Sequence, residues 1–223
     1  HIDIKNINTE MHIHTALDNG TMYYYQMVAL DRTGNESEAS EVVNEVPKAT
    51  QTITFDELMD MTYGDEPFEP TVAASSGLPI DMVSSNPEVA EISGDGAKVI
   101  IRKAGVVAIT ASQPGGPAFE PAEAVQRMLV IAKAKPVITW SNPKAITYGT
   151  ALNSTQLSAV SNIAGALTYT PEAGTVLNAG TGQLLEVMFV PDDSDNYEII
   201  RAEVRVDVRK AAAVITADDV QRY

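Results

Sequence analysis

The chain has 223 residues, room for one to two domains at about 100–200 residues each. Its 15 Lys+Arg against 30 Asp+Glu give a formal net charge of −15. That balance leaves no basic footprint for nucleic acid or for an anionic membrane surface. With no cysteine, disulfide frameworks, thiolate metal sites and thiol nucleophiles are excluded. Hydrophobic residues make up 44% of the chain, enough to build a packed core.

No apolar run reaches the length of about 18 residues that a spanning helix needs, so no membrane insertion is expected in this segment. The opening residues, His1-Ile2-Asp3-Ile4-Lys5, hold neither an initiator Met nor a signal-peptide core. The last residues, Asp218-Asp219-Val220-Gln221-Arg222-Tyr223, resemble no anchor. Both ends are expected to lie inside a longer polypeptide.

Taken in chain order, the elements are strands. A turn at Leu17-Asp18-Asn19-Gly20 leads into a strand in which Tyr23, Tyr25, Met27 and Ala29 share the inward face, with Tyr24 opposite. The loop Asp31-Arg32-Thr33-Gly34-Asn35-Glu36-Ser37 follows, and then a strand over 40–46. Residues 98–102, 106–111, 128–131 and 185–190 are short β-rich runs. Turn signals separate them: Asn86-Pro87, Gly94-Asp95-Gly96, Gly115-Gly116-Pro117 and Asn178-Ala179-Gly180. In residues 203–209, Val204, Val206 and Val208 point one way and Glu203, Arg205, Asp207 and Arg209 the other, the pattern of a half-buried strand. Short strands at this spacing, with no competing helical period, predict an all-β chain of β-sandwiches.

The chain also repeats itself. Ile53-Thr54-Phe55 returns as Ile138-Thr139-Trp140, and Thr62-Tyr63-Gly64 as Thr147-Tyr148-Gly149, both 85 residues later. A third start falls at Val214-Ile215-Thr216, with Tyr223 near the position of Tyr63 and Tyr148. A period near 80 suits a small sandwich, whereas solenoid repeats run to about 20–50 residues. The junctions at Val46-Pro47-Lys48-Ala49, Ala132-Lys133-Ala134-Lys135-Pro136 and Arg209-Lys210-Ala211-Ala212 hold no Gly/Ser linker. The last strand of one unit is therefore expected to run almost directly into the first strand of the next, a semi-stiff arrangement. The expected units are residues 1–48, 49–134, 135–211 and 212–223.

Leu17-Asp18-Asn19-Gly20-Thr21-Met22-Tyr23 resembles the Leu-x-x-Gly-Thr-x-Tyr turn of fibronectin type III domains. The first 48 residues are similar to the C-terminal half of such a domain. The resemblance implies a tyrosine corner in which the Tyr23 hydroxyl bonds back to upstream backbone. It also leaves the remaining strands upstream of His1 or missing. The next two units resemble bacterial immunoglobulin-like repeats of large surface proteins. One carries Ser84-Ser85-Asn86-Pro87-Glu88-Val89-Ala90 and Gly105-Val106-Val107-Ala108-Ile109-Thr110-Ala111. The other carries Tyr169-Thr170-Pro171, Gly174-Thr175-Val176-Leu177 and Asn196-Tyr197. Ile215-Thr216-Ala217-Asp218-Asp219 resembles the start of a further repeat. This likeness implies tandem immunoglobulin-like β-sandwiches in a linear array, an extracellular or cell-surface location, and no catalytic residues.

Candidate chemistry is sparse. His12 and His14 share a strand face, with Asp18 the nearest third ligand, but a bare pair makes no metal site. Asp192, Asp193 and Asp195 lie in the densest acidic loop, and their oxygens suit calcium. The Gly and distal Glu of an EF-hand loop are missing there, and Asp and Asn also favour plain turns. Asp56, Glu57, Asp60, Asp65 and Glu66 form a second acidic stretch, best read as solvation. Trp140 aligns with Phe55 and is expected in the core. All three His fall within the first 14 residues and no Gly-x-Ser-x-Gly elbow occurs, so no enzyme is expected. The expected role is a structural spacer of a long bacterial surface or secreted adhesin-like protein. Its partners would be neighbouring immunoglobulin-like domains, with self-association or a surface glycan or protein as further candidates. The alternatives are a glycan- or protein-binding module, an accessory region of a polysaccharide-degrading enzyme, and a subunit of an extracellular filament.

Overall fold

A computed structural model describes residues 13–213. His12, Val214-Ile215-Thr216 and Tyr223, on which parts of the sequence reading fall, lie outside the described residues. No helix occurs among the described residues, so none is long and apolar enough to cross a membrane. Among the described residues sixteen strands form six sheets, and the fold is all-β.

The first two strands, β1 (Tyr23–Tyr25) and β2 (Val43–Glu45), pair antiparallel. The next eight build one sandwich: β3 (Ile53–Phe55), β4 (Met61–Thr62), β5 (Val72–Ala74), β6 (Asp81–Ser84), β7 (Ala90–Ile92), β8 (Val99–Ile101), β9 (Gly105–Ser112) and β10 (Val125–Ala132). One of its sheets has the order β4-β10-β9-β6; the pairs β3-β5 and β7-β8 lie across from it. Alternation drives the layering. Val107, Ile109 and Ala111 of β9 and Leu129 and Ile131 of β10 point inward and meet Phe55, Ala90 and Val99. Arg127 shares the inward face of β10 but reaches the sheet edge, where its Nε donates to the Phe55 carbonyl at 2.9 Å.

The remaining strands repeat this plan: β11 (Ile138–Thr139), β12 (Ile146–Thr147), β13 (Val160–Ser161), β14 (Gly165–Thr170), β15 (Gly180–Pro191) and β16 (Ile200–Arg209). The main sheet has the order β12-β16-β15-β14, with β11-β13 opposite. Val204, Val206 and Val208 point inward as their alternation predicts, onto Ile146, Leu152, Leu157 and Leu185. Trp140 packs against this core, its Nε1 donating to the Gln156 carbonyl at 3.0 Å.

In both sandwiches the first strand of the main sheet runs parallel to the last. Met61 pairs with Ile131, and Ile146 with Val208. Other strand pairs are antiparallel, which together defines an immunoglobulin-like topology. The repeated Thr-Tyr-Gly is the turn that leaves the parallel strand. Gly64 and Gly149 sit there at φ of 93° and 96°, where a Cβ would be strained. The spacing shrinks along the fold, from 85 residues between Met61 and Ile146 to 77 between Ile131 and Val208. The shortening falls where the β7-β8 hairpin of the first sandwich has no counterpart among the described residues of the second.

One expectation is corrected. Met27 and Ala29 share the Tyr23 face by alternation, but both are exposed, Met27 at 77%. Among the described residues no second sheet covers the β1-β2 ladder, so that face has nothing to pack against. Tyr23 behaves as expected: its hydroxyl accepts the Asp18 N–H at 3.0 Å, closing the turn over five residues.

Candidate functional site

The acidic loop Pro191-Asp192-Asp193-Ser194-Asp195-Asn196-Tyr197 joins β15 to β16 and lies against the preceding sandwich. Asn196 is its centre, and only 9% of it is exposed. Its backbone N–H and its Nδ2 donate to the two Asp193 carboxylate oxygens at 3.2 and 2.9 Å. Its Oδ1 accepts the Ala104 N–H of the first sandwich at 2.8 Å. The linker residue Ala134 then pairs with the loop as a strand would. Its N–H donates to the Asn196 carbonyl, and its carbonyl accepts the Glu198 N–H, both at 2.9 Å.

Side chains seal this joint. Lys103 and Asp195 form an ion pair at 2.9 Å, and Lys133 Nζ donates to the Ser194 carbonyl at 2.6 Å. The hydrogen bond and charge of Lys103 hold the Asp195 carboxyl below its usual range, and Asp195 pushes the Lys103 ammonium up. Tyr197 meets Tyr63 edge to face, with ring centres 5.4 Å apart. The link from β10 to β11 thus spans residues 133–137, and Ala134, its second residue, is held by the loop.

The same device occurs one unit earlier. Ala49 donates to the Ala118 carbonyl at 2.8 Å and accepts from the Glu120 N–H at 2.9 Å, bridging the β9-β10 loop at Phe119. The turn above it again touches the loop. Gly20 donates to the Pro47 carbonyl at 2.8 Å, and a Cβ on Gly20 would come within 3.0 Å of the Ala118 Cβ. Ala49 and Ala134 are 85 residues apart, and their loop partners Phe119 and Tyr197 are 78 apart. The first loop is pinned differently, by Gln51. Its Nε2 donates to Gln113 Oε1 at 2.6 Å and to the Glu120 carbonyl at 2.7 Å, and its Oε1 accepts from Ser76.

Of the three Asp singled out as calcium ligands, two have their carboxylates engaged separately and the third is bonded through its backbone. Asp195 engages Lys103, Asp193 engages Asn196, and Asp192 donates its N–H to the Ala164 carbonyl. Among the described residues, no three His, Asp or Glu side chains gather as a cation-holding group. His14 sits edge-on to Tyr23 and Tyr25, its Nδ1 3.2 Å from the Tyr25 hydroxyl. In the second acidic stretch, Glu57 lies 3.4 Å from Arg127 and Asp65 accepts the Thr62 N–H. Sequence reasoning missed Asn196, Ala104, Gln51 and Gln113. The usable signal was the recurrence of Ala before a strand, at Ala49 and Ala134.

No protein-family model matches the chain, and no curated protein does. Solved structures to which the chain shows similarity include extracellular domains 3–5 of Drosophila OTK. It is 10% identical, with a TM-score of 0.34, over 86% of this chain and 73% of that one. Immunoglobulin domains 1–4 of Sidekick-1 are 11% identical, with a TM-score of 0.31, over 86% of this chain and 60% of theirs. Drosophila N-cadherin EC1–4 is 12% identical, with a TM-score of 0.28, over 88% of this chain and 60% of that one. This chain therefore spans under two thirds of the latter two. The sandwich assignment rests on the strand ladders described above.

Proposed function

We propose that the chain is a non-enzymatic spacer segment of a long bacterial cell-surface or secreted adhesin-like protein. The joint carries this reading. A linker residue adds to a loop of the next sandwich by two backbone hydrogen bonds, once at Ala49 and again at Ala134. Such pairing fixes the angle between neighbours far better than a random-coil linker would. The parallel pairing of β4 with β10, and of β12 with β16, adds a second property. Pulling a sandwich by its two ends loads that ladder in shear, so its bonds must break together. Acid is spread over all units, which keeps neighbouring rods soluble and apart.

Small-angle scattering of residues 1–223 tests the reading. An extended particle with a fixed maximum dimension across salt concentrations is expected. A compact particle, or a broad flexible ensemble, would sink it. Calcium at Asp192, Asp193 and Asp195 is a subsidiary proposal, in which the cation replaces Lys103 at the joint. A rise in thermal midpoint with calcium over chelator is its signature, and no shift at millimolar calcium rejects it.

A further inference from the structure

The far end of the second sandwich repeats the receiving half of the joint. Gly105 pairs with Ile131, and Gly180 with Val208. Tyr63 donates its N–H to the Ala132 carbonyl at 2.9 Å, and Tyr148 to the Arg209 carbonyl at 2.8 Å. These registers put Tyr148 where Tyr63 stands, Ala179 where Ala104 stands and Asn178 where Lys103 stands. Lys210 and Ala211 take the places of Lys133 and Ala134. The same five residues, Tyr148, Asn178, Ala179, Lys210 and Ala211, line one hollow of about 430 Å³. Tyr63 is half-buried with the Tyr197 ring against it, whereas Tyr148 is 50% exposed.

We propose that this hollow is a docking seat for the loop of one further immunoglobulin-like module, following in the same polypeptide. The loop would present an aromatic ring to Tyr148 and its backbone to Ala211. The sequence beyond the seat supports this occupant. Val214-Ile215-Thr216 follows Val137-Ile138-Thr139 by 77 residues, the spacing that also separates Lys133-Ala134 from Lys210-Ala211. The seat also states a preference. Asn178 offers no cation where Lys103 holds Asp195, so the fitting loop needs no acid at that position. The first joint already pairs an uncharged Gly20 with an uncharged Pro117-Ala118 stretch. The inference rests on the spacer reading, which scattering of the unextended chain tests separately.

The test replaces residues 217–223 by a copy of residues 140–211, which keeps the 77-residue register, with the added loop's copy of Asp195 changed to Ser. Amide hydrogen exchange is read at Ala179 and Ala211. Each gains a hydrogen bond in the proposed joint, so protection should rise about 5-fold or more over the unextended chain. Tyr148→Ala should cut that gain while leaving the Ala104 amide unchanged. Equal protection with and without the added module overturns the proposal. A second arm needs no added fold: a peptide of residues 191–199 carrying Asp195→Ser is titrated into the 223-residue chain. Saturable shifts at Ala179 and Ala211 support the seat, and their absence counts against it. Sedimentation that showed a Tyr148-dependent dimer of the unextended chain would give the seat to a second copy and overturn the assignment.

Discussion

Asn196→Ala isolates what the joint contributes. The substitution deletes the acceptor of the Ala104 N–H and both donors and acceptors of an amide that is nearly buried. A buried N–H left without a partner costs about 1–3 kcal/mol, more than the net worth of an ordinary hydrogen bond. The Lys103–Asp195 pair lies beside it but is largely exposed, and solvent screening leaves such pairs a small contribution. The two variants should therefore rank in a fixed order. Asn196→Ala should lower Ala104 amide protection by a factor of about 5–150, the range that ~1–3 kcal/mol implies. Lys103→Ala should lower it about 5-fold or less. Exchange rates of the two variants, read beside urea midpoints, decide the matter. An Ala104 amide indifferent to Asn196→Ala, or more sensitive to Lys103→Ala, would refute the hydrogen-bond account of the joint.

Other outcomes follow from the same geometry. Leu185→Ala removes a fully buried side chain and should cost the second sandwich about 2–5 kcal/mol in urea unfolding. Gly165→Ala would set a Cβ 2.5 Å from the Val190 carbonyl oxygen and 2.6 Å from the Phe189 ring, so a loss of about 1–3 kcal/mol is expected. Gly180→Ala meets only the mobile end of Gln183 and should cost less in the same assay. Acid should loosen the second joint. Asp195 has a depressed folded pKa, so its contribution is present above the ordinary Asp value of about 3.9 and is lost as pH falls through the folded value. Lys103 is raised, so its contribution is present below about 10.4 and is lost as pH rises through its folded value. Ala104 protection, compared at matched intrinsic exchange, should be flat between these limits. Lys103→Ala should remove both edges of that window.

The strand faces of residues 203–209 and the repeat at 53–55 and 138–140 were legible because a half-buried strand has to alternate and a core has to recur. The joint was not legible, and the reason is physical. Asn196 and the acids around it carry the composition of a turn, which also fits a calcium loop or a solvated bend. What separates these readings is Ala104, a backbone N–H whose partner lies 92 residues away. A backbone donor leaves no mark in side-chain sequence. Met27 misled for the opposite reason: its alternation was sound, but a strand's inward face has a meaning only when another sheet covers it.

The chemistry of the joint fits a chain with no cysteine. A joint built on apolar burial alone would leave a hydrophobic patch whenever it opened. Backbone pairing at Ala134 and a nearly buried amide at Asn196 avoid that hazard, because the groups they use can return to water. The edge-to-face rings of Tyr63 and Tyr197 supply a modest apolar share. The resulting contact is directional and reversible. On the spacer reading, tension opens such a joint before either sandwich unfolds. That order of events requires the joint to be weaker than the buried cores around Leu129 and Leu185. Ladder bonds and one amide, set against more than a dozen buried apolar side chains, place it on the weaker side.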